Sequence, residues 1–214
     1  MVDSYKSFAQ SASSIAVVIP IKAFEQAKDR LSGVLSADQR NLLARVTASG
    51  VLNSVLQSVR PKSIFVVCDN AEVSQWATMH GATVVQQTRS GLNAAVQIGI
   101  IAAKEFDRVM IVHSDLPLPE RLGELLNSTV AHNTVTIVPD RHRDGTNVLI
   151  IPPGVGFECH YGAKSFEAHM AEATTHGLPI QIVEDDALAL DIDTPEDLRA
   201  LPTQWLEQHK ITLF

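Results

Sequence analysis

The chain has 214 residues, of which 45% are hydrophobic and 19% are charged, and this composition excludes a disordered or fibrous protein. Its formal net charge of −7 argues against a nucleic-acid binder, which normally needs a basic face. No apolar run approaches the roughly 18 residues of a membrane span, so we expect no membrane partner and a cytoplasmic protein.

The chain begins with a polar, serine-rich stretch that lacks the apolar segment of a signal peptide. We therefore expect residues 1–14 to form a flexible tail ahead of a single domain over residues 15–214. Apolar runs then alternate with helical patterns, which is typical of an α/β fold with a mostly parallel sheet flanked by helices. Strands are predicted at Ile15–Pro20, Ser63–Val67, Thr83–Val85, Arg108–His113, Thr134–Pro139, Asn147–Ile151 and Ile180–Val183. Helices are predicted between Ser36 and Pro61 and at Glu72–Met79, Leu92–Phe106, Leu118–Ser128, Phe166–Thr175 and Thr194–Leu201.

The fifth and sixth predicted strands are separated by a short polar loop. A loop of this length favours antiparallel pairing, because parallel neighbours need a long crossover connection. We therefore predict a doubly wound sheet with a mixed edge.

Two acidic motifs lie where such a sheet places its ligands, beyond the carboxyl ends of the strands. Asp115 directly follows a predicted central strand, and Asp191 and Asp193 alternate along an extended segment with Ile192 turned the other way. Each motif could instead simply cap the helix that follows it. Capping does not account for two carboxylates on alternate residues, whereas Mg²⁺ is commonly held by one or two carboxylates and by phosphate oxygens. We therefore predict that Asp115 shares a divalent cation with Asp191 or Asp193.

Cationic side chains follow the first predicted strand, on the same side of the sheet. Lys22, Lys28 and Arg30 could converge on a polyphosphate, although a solvated charged loop is the alternative. The sequence contains neither the Gly-x-x-x-x-Gly-Lys-Ser/Thr loop nor the Gly-x-Gly-x-x-Gly turn. A P-loop NTPase and a dinucleotide-binding dehydrogenase are both disfavoured as a result.

Two further stretches suggest binding sites for a base and for a second anion. Gly91 opens a helix, and Asn93 offers a donor and an acceptor to a base edge. Gly162 and Ser165 would present free amides at a helix start, and Thr146 could add a hydroxyl. Ordinary turn residues would need no ligand at these positions. The histidines show no metal-ligand pattern, and those near Gly162, including His169, are interpreted as structural.

The candidate residues belong to a series of short motifs. In chain order these are Pro20-x-Lys22, Ala27-Lys28-x-Arg30-Leu31, Gly91-Leu92-Asn93, Ser114-Asp115-Leu116-Pro117, Gly145-Thr146-Asn147, Tyr161-Gly162-x-x-Ser165-Phe166-x-x-His169 and Asp191-x-Asp193-Thr194-Pro195. Taken in this order, the motifs resemble the CofC/FbiD family of phospholactate or phosphoenolpyruvate guanylyltransferases of coenzyme F420 biosynthesis, over roughly residues 15–201. The aspartate motifs are shared with wider nucleotidyltransferases, whereas the pair formed by Gly-Thr-Asn and Gly-x-x-Ser-Phe is narrower. One departure is Ser114, where the family usually has glycine.

The resemblance implies a Rossmann-like nucleotidyltransferase fold that uses GTP and Mg²⁺. GMP would be transferred to the phosphate of phosphoenolpyruvate, 2-phospho-L-lactate or 3-phospho-D-glycerate, with release of pyrophosphate. Asp115 and Asp191 match the family's metal positions, with Asp193 beside them, and Thr146, Gly162 and Ser165 match positions that hold the acid. We expect the nucleotide to be bound by Lys22, Gly91, Asn93 and Asp115. We expect catalysis to depend on Lys22, Lys28, Arg30 and Asp115.

Other activities remain open on the sequence alone. A related transferase could use CTP, or a sugar-phosphate or molybdopterin acceptor, and would share the aspartates. A nucleotide-binding module without catalysis is the non-enzymatic alternative. The resemblance also implies that the product passes to a downstream transferase of coenzyme F420 biosynthesis, and a homodimer is left open.

Overall fold

The computed structural model describes residues 14–128 and 131–213. The predicted tail therefore lies outside the described residues, apart from Ser14. The backbone N–H and the hydroxyl of Ser14 donate to Asp107 Oδ2 at 2.8 and 2.9 Å, which fastens the start of the first strand. No helix in the described ranges is both long enough and apolar enough to cross a membrane.

The described residues form an α/β domain with the predicted alternation of strands and helices. The strands are β1 (Ile15–Pro20), β2 (Ile64–Cys68), β3 (Thr83–Gln86), β4 (Arg108–Val112), β5 (Val135–Pro139), β6 (Thr146–Ile151) and β7 (Ile180–Ile182). The helices are α1 (Ala37–Leu56), α2 (Ala71–Met79), α3 (Leu92–Ala102), α4 (Leu122–Leu126), α5 (Ser165–Thr175), α6 (Pro195–Ala200) and α7 (Thr203–Gln208). Short 3₁₀ helices lie at Phe24–Gln26, Asp29–Leu31 and Pro61–Ser63.

Several boundaries depart from the sequence-based prediction. The third helix ends at Ala102 rather than at Phe106, and the fourth spans only Leu122–Leu126. Helix α7 was not predicted. The predicted start of α1 is confirmed, since Ser36 caps the helix and its hydroxyl accepts the N–H of Gln39 at 3.2 Å.

The strands form one mostly parallel sheet in the order β3-β2-β1-β4-β6-β5-β7. The prediction that β6 pairs antiparallel with β5 is confirmed, and β6 is also antiparallel to β4. The prediction of a mixed edge is wrong, because β6 lies between β4 and β5. The short β5–β6 loop returns the chain to the inner side of β5, and β7 then pairs with β5 in parallel on the outer side.

Hydrophobic layers cover both faces of the sheet. Val17 and Ile19 of β1 pack with Leu52 of α1, while Val18 points the other way and packs with Ala95 of α3. This alternation is expected for a strand buried on both faces. A third apolar cluster joins Leu31 and Leu35, Leu43 of α1, and Leu190, Ile192 and Leu198 near the carboxyl end of the chain.

The sheet topology determines which loops meet. β1 and β4 are parallel neighbours, so the loops after them leave the sheet on the same side. This side is the edge formed by the carboxyl ends of the parallel strands. Because β6 runs antiparallel to β4, its amino end lies at that edge too. The backbone N–H of Ile192 donates to the carbonyl of Asp115 at 3.3 Å, which brings the extended segment around Ile192 to the same place.

Candidate active site

Three carboxylates from two distant parts of the chain meet at this edge. Ligand oxygens of Asp115, Asp191 and Asp193 all lie within 4.8 Å of one another. Ile192 is fully buried in the third apolar cluster, so the alternation along the segment turns both of its aspartates towards Asp115. The predicted convergence of the two acidic motifs is therefore confirmed.

The cluster has the chemistry of a site for a hard divalent cation. Such cations are bound by carboxylate oxygens, and Mg²⁺ in particular uses few protein ligands together with substrate phosphates. Asp115 Oδ1 is buried and has no hydrogen-bond partner among the described residues, which leaves a coordination position unused. Asp115, Asp191 and Asp193 are thus the residues that fit a metal ion.

Lys28 lies against this cluster. Its ammonium is 2.7 Å from Asp115 Oδ2 and 3.2 Å from Asp193 Oδ1, and the side chain is only 7% exposed. Burial alone would lower the pKa of Lys28, but the two carboxylates outweigh burial and raise it. The residue has a left-handed backbone with a φ of 64°, an uncommon conformation for a side chain other than glycine and one that clusters at functional sites.

The Asp115 carboxylate is ionised as a result of that contact. Burial would raise its pKa, but the Lys28 ammonium holds the pKa below its ordinary value. Asp191 behaves in the opposite way, because burial and the neighbouring charges of Asp115 and Asp193 raise its pKa to about 7. Two carboxylates in one cluster therefore have very different proton affinities, which is a frequent property of functional sites.

The remaining predicted cations lie further out. Arg30 is 3.8 Å from Asp193 and its side chain is 77% exposed, so it lies at the rim of the cluster. Lys22 is exposed just beyond the end of β1. Both side chains are free to extend towards a polyphosphate, whereas Lys28 is held inside the acidic cluster.

The segment that carries Asp191 and Asp193 is held in place by a helix cap. Asp197 accepts the backbone N–H groups of Asp193 and Thr194 at 3.0 and 2.6 Å, and Thr194 completes a capping box at the start of α6. Arg141, from the β5–β6 loop, contacts the other oxygen of Asp197 at 2.6 Å. The alternative interpretation, that this motif caps the following helix, is thus also correct. The cap in addition holds the backbone of Asp193 in position.

The residues predicted for the second anion lie near the acidic cluster, since Thr146 directly precedes Asn147, whose amide nitrogen is 3.4 Å from Asp191 Oδ1. Thr146 begins β6 and Ser165 begins α5, and each is only 1% exposed. His169 lies one turn after Ser165 on α5, and its Nδ1 is 3.0 Å from Thr146 Oγ1. Gly162 precedes α5 with a φ of 133°, a backbone that side chains rarely adopt. The structure therefore brings the three residues that are predicted to bind the phosphorylated acid, Thr146, Gly162 and Ser165, into one region.

The expectation of free amides at the start of α5 needs correction for Ser165, whereas the Gly162 N–H has no hydrogen-bond acceptor among the described residues. The N–H of Ser165 donates to the carbonyl of Gly162, and the N–H of Phe166 donates to the carbonyl of Asp144. These bonds form because a tight turn leads into the helix and because the β5–β6 loop packs against it. An anion here would depend on side-chain hydroxyls more than the sequence suggests.

Asn93 also has a contact that the sequence did not reveal. Its Oδ1 accepts the backbone N–H of Tyr161 at 2.7 Å, and its Nδ2 donates to the carbonyl of Tyr161 at 3.0 Å. The side chain thus links the start of α3 to the loop before α5, and one amide hydrogen remains for a base. Gly91, just before α3, has a φ of 101° and is exposed at the same edge.

Comparisons with known proteins agree with this geometry. The family model described as guanylyl transferase, CofC like, matches residues 15–204. The chain belongs to this family. It is 36% identical to a phosphoenolpyruvate guanylyltransferase of Conexibacter woesei, over 88% of this chain and 87% of that protein. It is 30% identical to a 2-phospho-L-lactate guanylyltransferase of Methanothermobacter thermautotrophicus, over 85% of this chain and 81% of that protein.

A solved structure confirms the fold. A nucleotidyl transferase from Methanothermobacter aligns with a TM-score of 0.62 and 16% identity, covering 92% of this chain and all of that one. The predicted Rossmann-like nucleotidyltransferase fold is therefore confirmed. Membership of the guanylyl transferase family makes the protein a nucleotidyltransferase enzyme, and the alternative of a module without catalysis is set aside.

Sequence analysis assigned no role to three residues that lie at the site, which are Asn147, Arg141 and Asp197. Asn147 is buried, and its amide donates to the carbonyl of Leu188 at 3.0 Å and to Asp191 Oδ1 at 3.4 Å. Arg141 and Asp197 support Asp193, as described above. The Thr-x-x-Asp spacing of a capping box was a usable signal for Asp197, whereas nothing local in the sequence pairs Arg141 or Asn147 with a segment more than forty residues away.

Proposed function

We propose that the protein transfers GMP from GTP to the phosphate of a phosphorylated three-carbon acid and releases pyrophosphate. The observation that carries the proposal is the cluster of Asp115, Asp191 and Asp193 beside the buried Lys28 ammonium. The names of the two relatives support phosphoenolpyruvate and 2-phospho-L-lactate as acceptors, and 3-phospho-D-glycerate is the third acid to be tested.

The acceptor phosphate is already ionised at neutral pH, so its oxygen can attack the α-phosphorus of GTP without a general base. The chain must then position two anions and stabilise the charge that develops in the transition state. Asp115, Asp191 and Asp193 would hold Mg²⁺, and bound Mg²⁺ supplies electrostatic stabilisation to phosphate oxygens. Lys28 and Arg30 add positive charge at the same cluster, and exposed Lys22 would reach the triphosphate or the leaving pyrophosphate.

The phosphorylated acid is proposed to bind in the region next to the acidic cluster. Thr146 and Ser165 present hydroxyls there, and Gly162 keeps the entrance to α5 free of a side chain. Gly91 and Asn93 would contact the guanine base from the start of α3. Transfer of the product to a downstream transferase of coenzyme F420 biosynthesis and assembly as a homodimer stay predictions.

The activity is tested by incubating the protein with GTP, MgCl₂ and each acid in turn, with mass spectrometry of the products. We expect a guanylylated acid and one equivalent of pyrophosphate for at least one of the three acids. ATP, CTP and UTP in parallel reactions test the nucleotide. Transfer from CTP in preference to GTP, or transfer to a sugar phosphate but to none of the acids, would contradict the proposal.

The metal assignment predicts that Asp115→Asn lowers kcat by about 10²–10³ with the fold intact, because a group that stabilises transition-state charge is lost. The measurement is pyrophosphate release at saturating substrates, with circular dichroism as the test of folding. Asp186→Asn, which changes an exposed aspartate, serves as the matched control. Near-normal Mg²⁺-dependent turnover by Asp115→Asn would refute the assignment.

A further inference from the structure

His169 is a completely buried histidine with a hydrogen bond to each ring nitrogen. Its Nε2 accepts the backbone N–H of His160 at 3.0 Å, and its Nδ1 is 3.0 Å from the hydroxyl oxygen of Thr146. A neutral imidazole has one donor and one acceptor nitrogen. Because an amide N–H can only donate, Nε2 must be the acceptor, so Nδ1 carries the proton and donates to Thr146.

This tautomer determines what the Thr146 hydroxyl can do. A threonine hydroxyl normally rotates and can present either a lone pair or its hydrogen to a partner. Here one lone pair of Oγ1 is taken by His169, which directs the O–H away from the ring. No acceptor for that hydrogen is found among residues 14–128 and 131–213. Thr146 is therefore presented as a hydrogen-bond donor.

We infer that His169 is a positioning residue that holds the Thr146 hydroxyl as a donor to the phosphorylated acid. The inference rests on the proposed function, because it concerns the same acceptor site. Hydrogen bonds to an ionised phosphate or carboxylate are shorter and stronger than neutral ones, so a donor fixed in advance favours an anionic acceptor. Ser165, one turn before His169 on α5, places a second hydroxyl in the same region.

The electrostatic environment keeps this arrangement stable near neutral pH. Burial lowers the pKa of His169 to about 4, and the neighbouring histidines His160 and His113 act in the same direction. The ring therefore stays neutral at pH 7 and keeps the Nε2 lone pair that accepts the His160 amide. A protonated ring would have two donors and would lose that bond.

Packing is the competing explanation for a buried histidine. The His169 ring lies edge-on to Tyr161 at 4.9 Å between centroids and is 6.2 Å from the ring of Phe157. If packing were its whole role, substitutions would change the stability of the protein and would affect the two substrates alike. A positioning role affects the acceptor selectively.

Two substitutions of His169 distinguish the roles of its two ring nitrogens. In His169→Asn the amide nitrogen takes roughly the place of Nδ1 and can still donate to Thr146. In His169→Gln the longer side chain reaches the place of Nε2 and can still accept the His160 amide, but Thr146 loses its donor. We expect His169→Gln to raise the KM for the acid by about tenfold, the effect of one lost hydrogen bond, with the KM for GTP unchanged. His169→Asn should keep both KM values near those of the wild type.

Repeating the substitution in a Thr146→Val variant tests whether the change in KM for the acid depends on the Thr146 hydroxyl. In Thr146→Val the hydroxyl is absent, so the further change His169→Gln should leave the KM for the acid unaltered. An equal rise in both backgrounds would overturn the inference, as would equal rises for the acid and for GTP. The same holds if His169→Asn and His169→Gln raise the KM for the acid equally.

The tautomer itself can be observed in the unmodified protein, whether or not the variants fold. Long-range ¹H–¹⁵N NMR spectra should show the proton of His169 on Nδ1, and a proton on Nε2 would overturn the inference. This measurement also separates the two proposals. If the wild type guanylylates none of the acids while Nδ1 is protonated, the proposed function fails and the geometry around Thr146 stands.

Discussion

Among the carboxylates of residues 14–128 and 131–213, Asp191 is the one whose surroundings most oppose ionisation. It lies beside Asp115 and Asp193 in a half-buried position, and burial with these two charges raises its pKa to about 7. The hydrogen bond from Asn147 favours the ionised form but is long, at 3.4 Å. A bound cation would lower the pKa of Asp191, because it would neutralise the negative charges that now repel one another.

The metal-free protein is therefore predicted to gain stability from Asp191→Asn at high pH. The pKa of Asp191 is higher in the folded protein than in the unfolded chain, so its contribution to stability is present below about pH 4 and is lost as the pH rises through about 7. Asparagine does not titrate and avoids this loss. We expect a gain of about 1–3 kcal/mol at pH 8 and a smaller gain at pH 5, where part of the loss has already occurred, measured by urea unfolding in EDTA.

Asp186→Asn is the control for that experiment, since it removes one negative charge from an exposed position. It should leave the difference between pH 5 and pH 8 unchanged. Turnover by Asp191→Asn should fall at the same time, because a metal ligand is lost. A loss of stability at pH 8 in Asp191→Asn would contradict the prediction.

Single residues also show how far the sequence alone could reach. The positions of Asp115, Asp191 and Asp193 were predictable, because each follows from a strand end or from alternation along an extended segment. The ion pairs of Lys28 were not, because they depend on a left-handed turn that places its ammonium among the carboxylates. The double hydrogen bond between Asn93 and Tyr161 likewise joins residues 68 positions apart in the chain.

At the scale of elements, the contact between α3 and β1 is unusually close. A Cβ atom added at Gly99 would lie 2.3 Å from Val18 Cγ1 and 3.0 Å from Val67 Cγ2. Helix α3 therefore approaches the sheet at a distance that only glycine permits. The residues at the amino end of α3, Gly91 and Asn93, depend on this packing for their position.

Gly99→Ala is predicted to destabilise the protein by about 1–3 kcal/mol, because the methyl group overpacks the helix–sheet contact. Gly50→Ala is the matched control in α1, where the added Cβ would make only ordinary contacts, the nearest 3.5 Å from Pro119. That change should stabilise the protein by roughly 0.5–1 kcal/mol, since alanine is the better helix former. Both values come from urea unfolding.

The double variant Val18→Ala/Gly99→Ala should lose less stability than the sum of the two single variants, because Val18→Ala removes the methyl groups nearest to the new Cβ. The double variant then tests the contact rather than the helix propensity. Equal destabilisation by Gly99→Ala and Gly50→Ala would show that the close approach of α3 to β1 is not the cause.

Elements were predicted well where a local pattern sets them and poorly where tertiary contacts do. Strands buried on both faces, such as β1, give continuous apolar runs and were found with correct bounds. The location of β6 inside the sheet was missed, because a hairpin loop reveals the pairing of β5 and β6 but not which side of β5 is taken. Helix α7 was missed since it is six residues long and packs mainly through Trp205 and Leu206.

At the scale of the whole molecule, the acidic cluster connects the two ends of the described chain. Lys28 comes from the loop after β1, Asp115 from the middle of the sequence, and Asp191 and Asp193 from the segment before α6. The third apolar cluster lies beneath this junction and joins the same regions through Leu31 and Ile192. A cation bound here would therefore link segments that are far apart in the chain, and its binding energy would add to the stability of the whole domain.

Mg²⁺ is accordingly predicted to raise the Tm of the full protein in a single cooperative transition. A ligand that binds only the folded state at about 100 times its Kd adds about 2.7 kcal/mol to the free energy of unfolding. For a chain of this size that corresponds to a rise in Tm of roughly 5–10 °C. The measurement is differential scanning calorimetry with MgCl₂, against NaCl of equal ionic strength, and EDTA should reverse the rise. Asp115→Asn should abolish it, because the remaining carboxylates no longer enclose the ion. An equal rise in that variant would mean that the stabilising ion binds elsewhere, and a separate, earlier transition would mean that the cluster does not link the two ends of the chain.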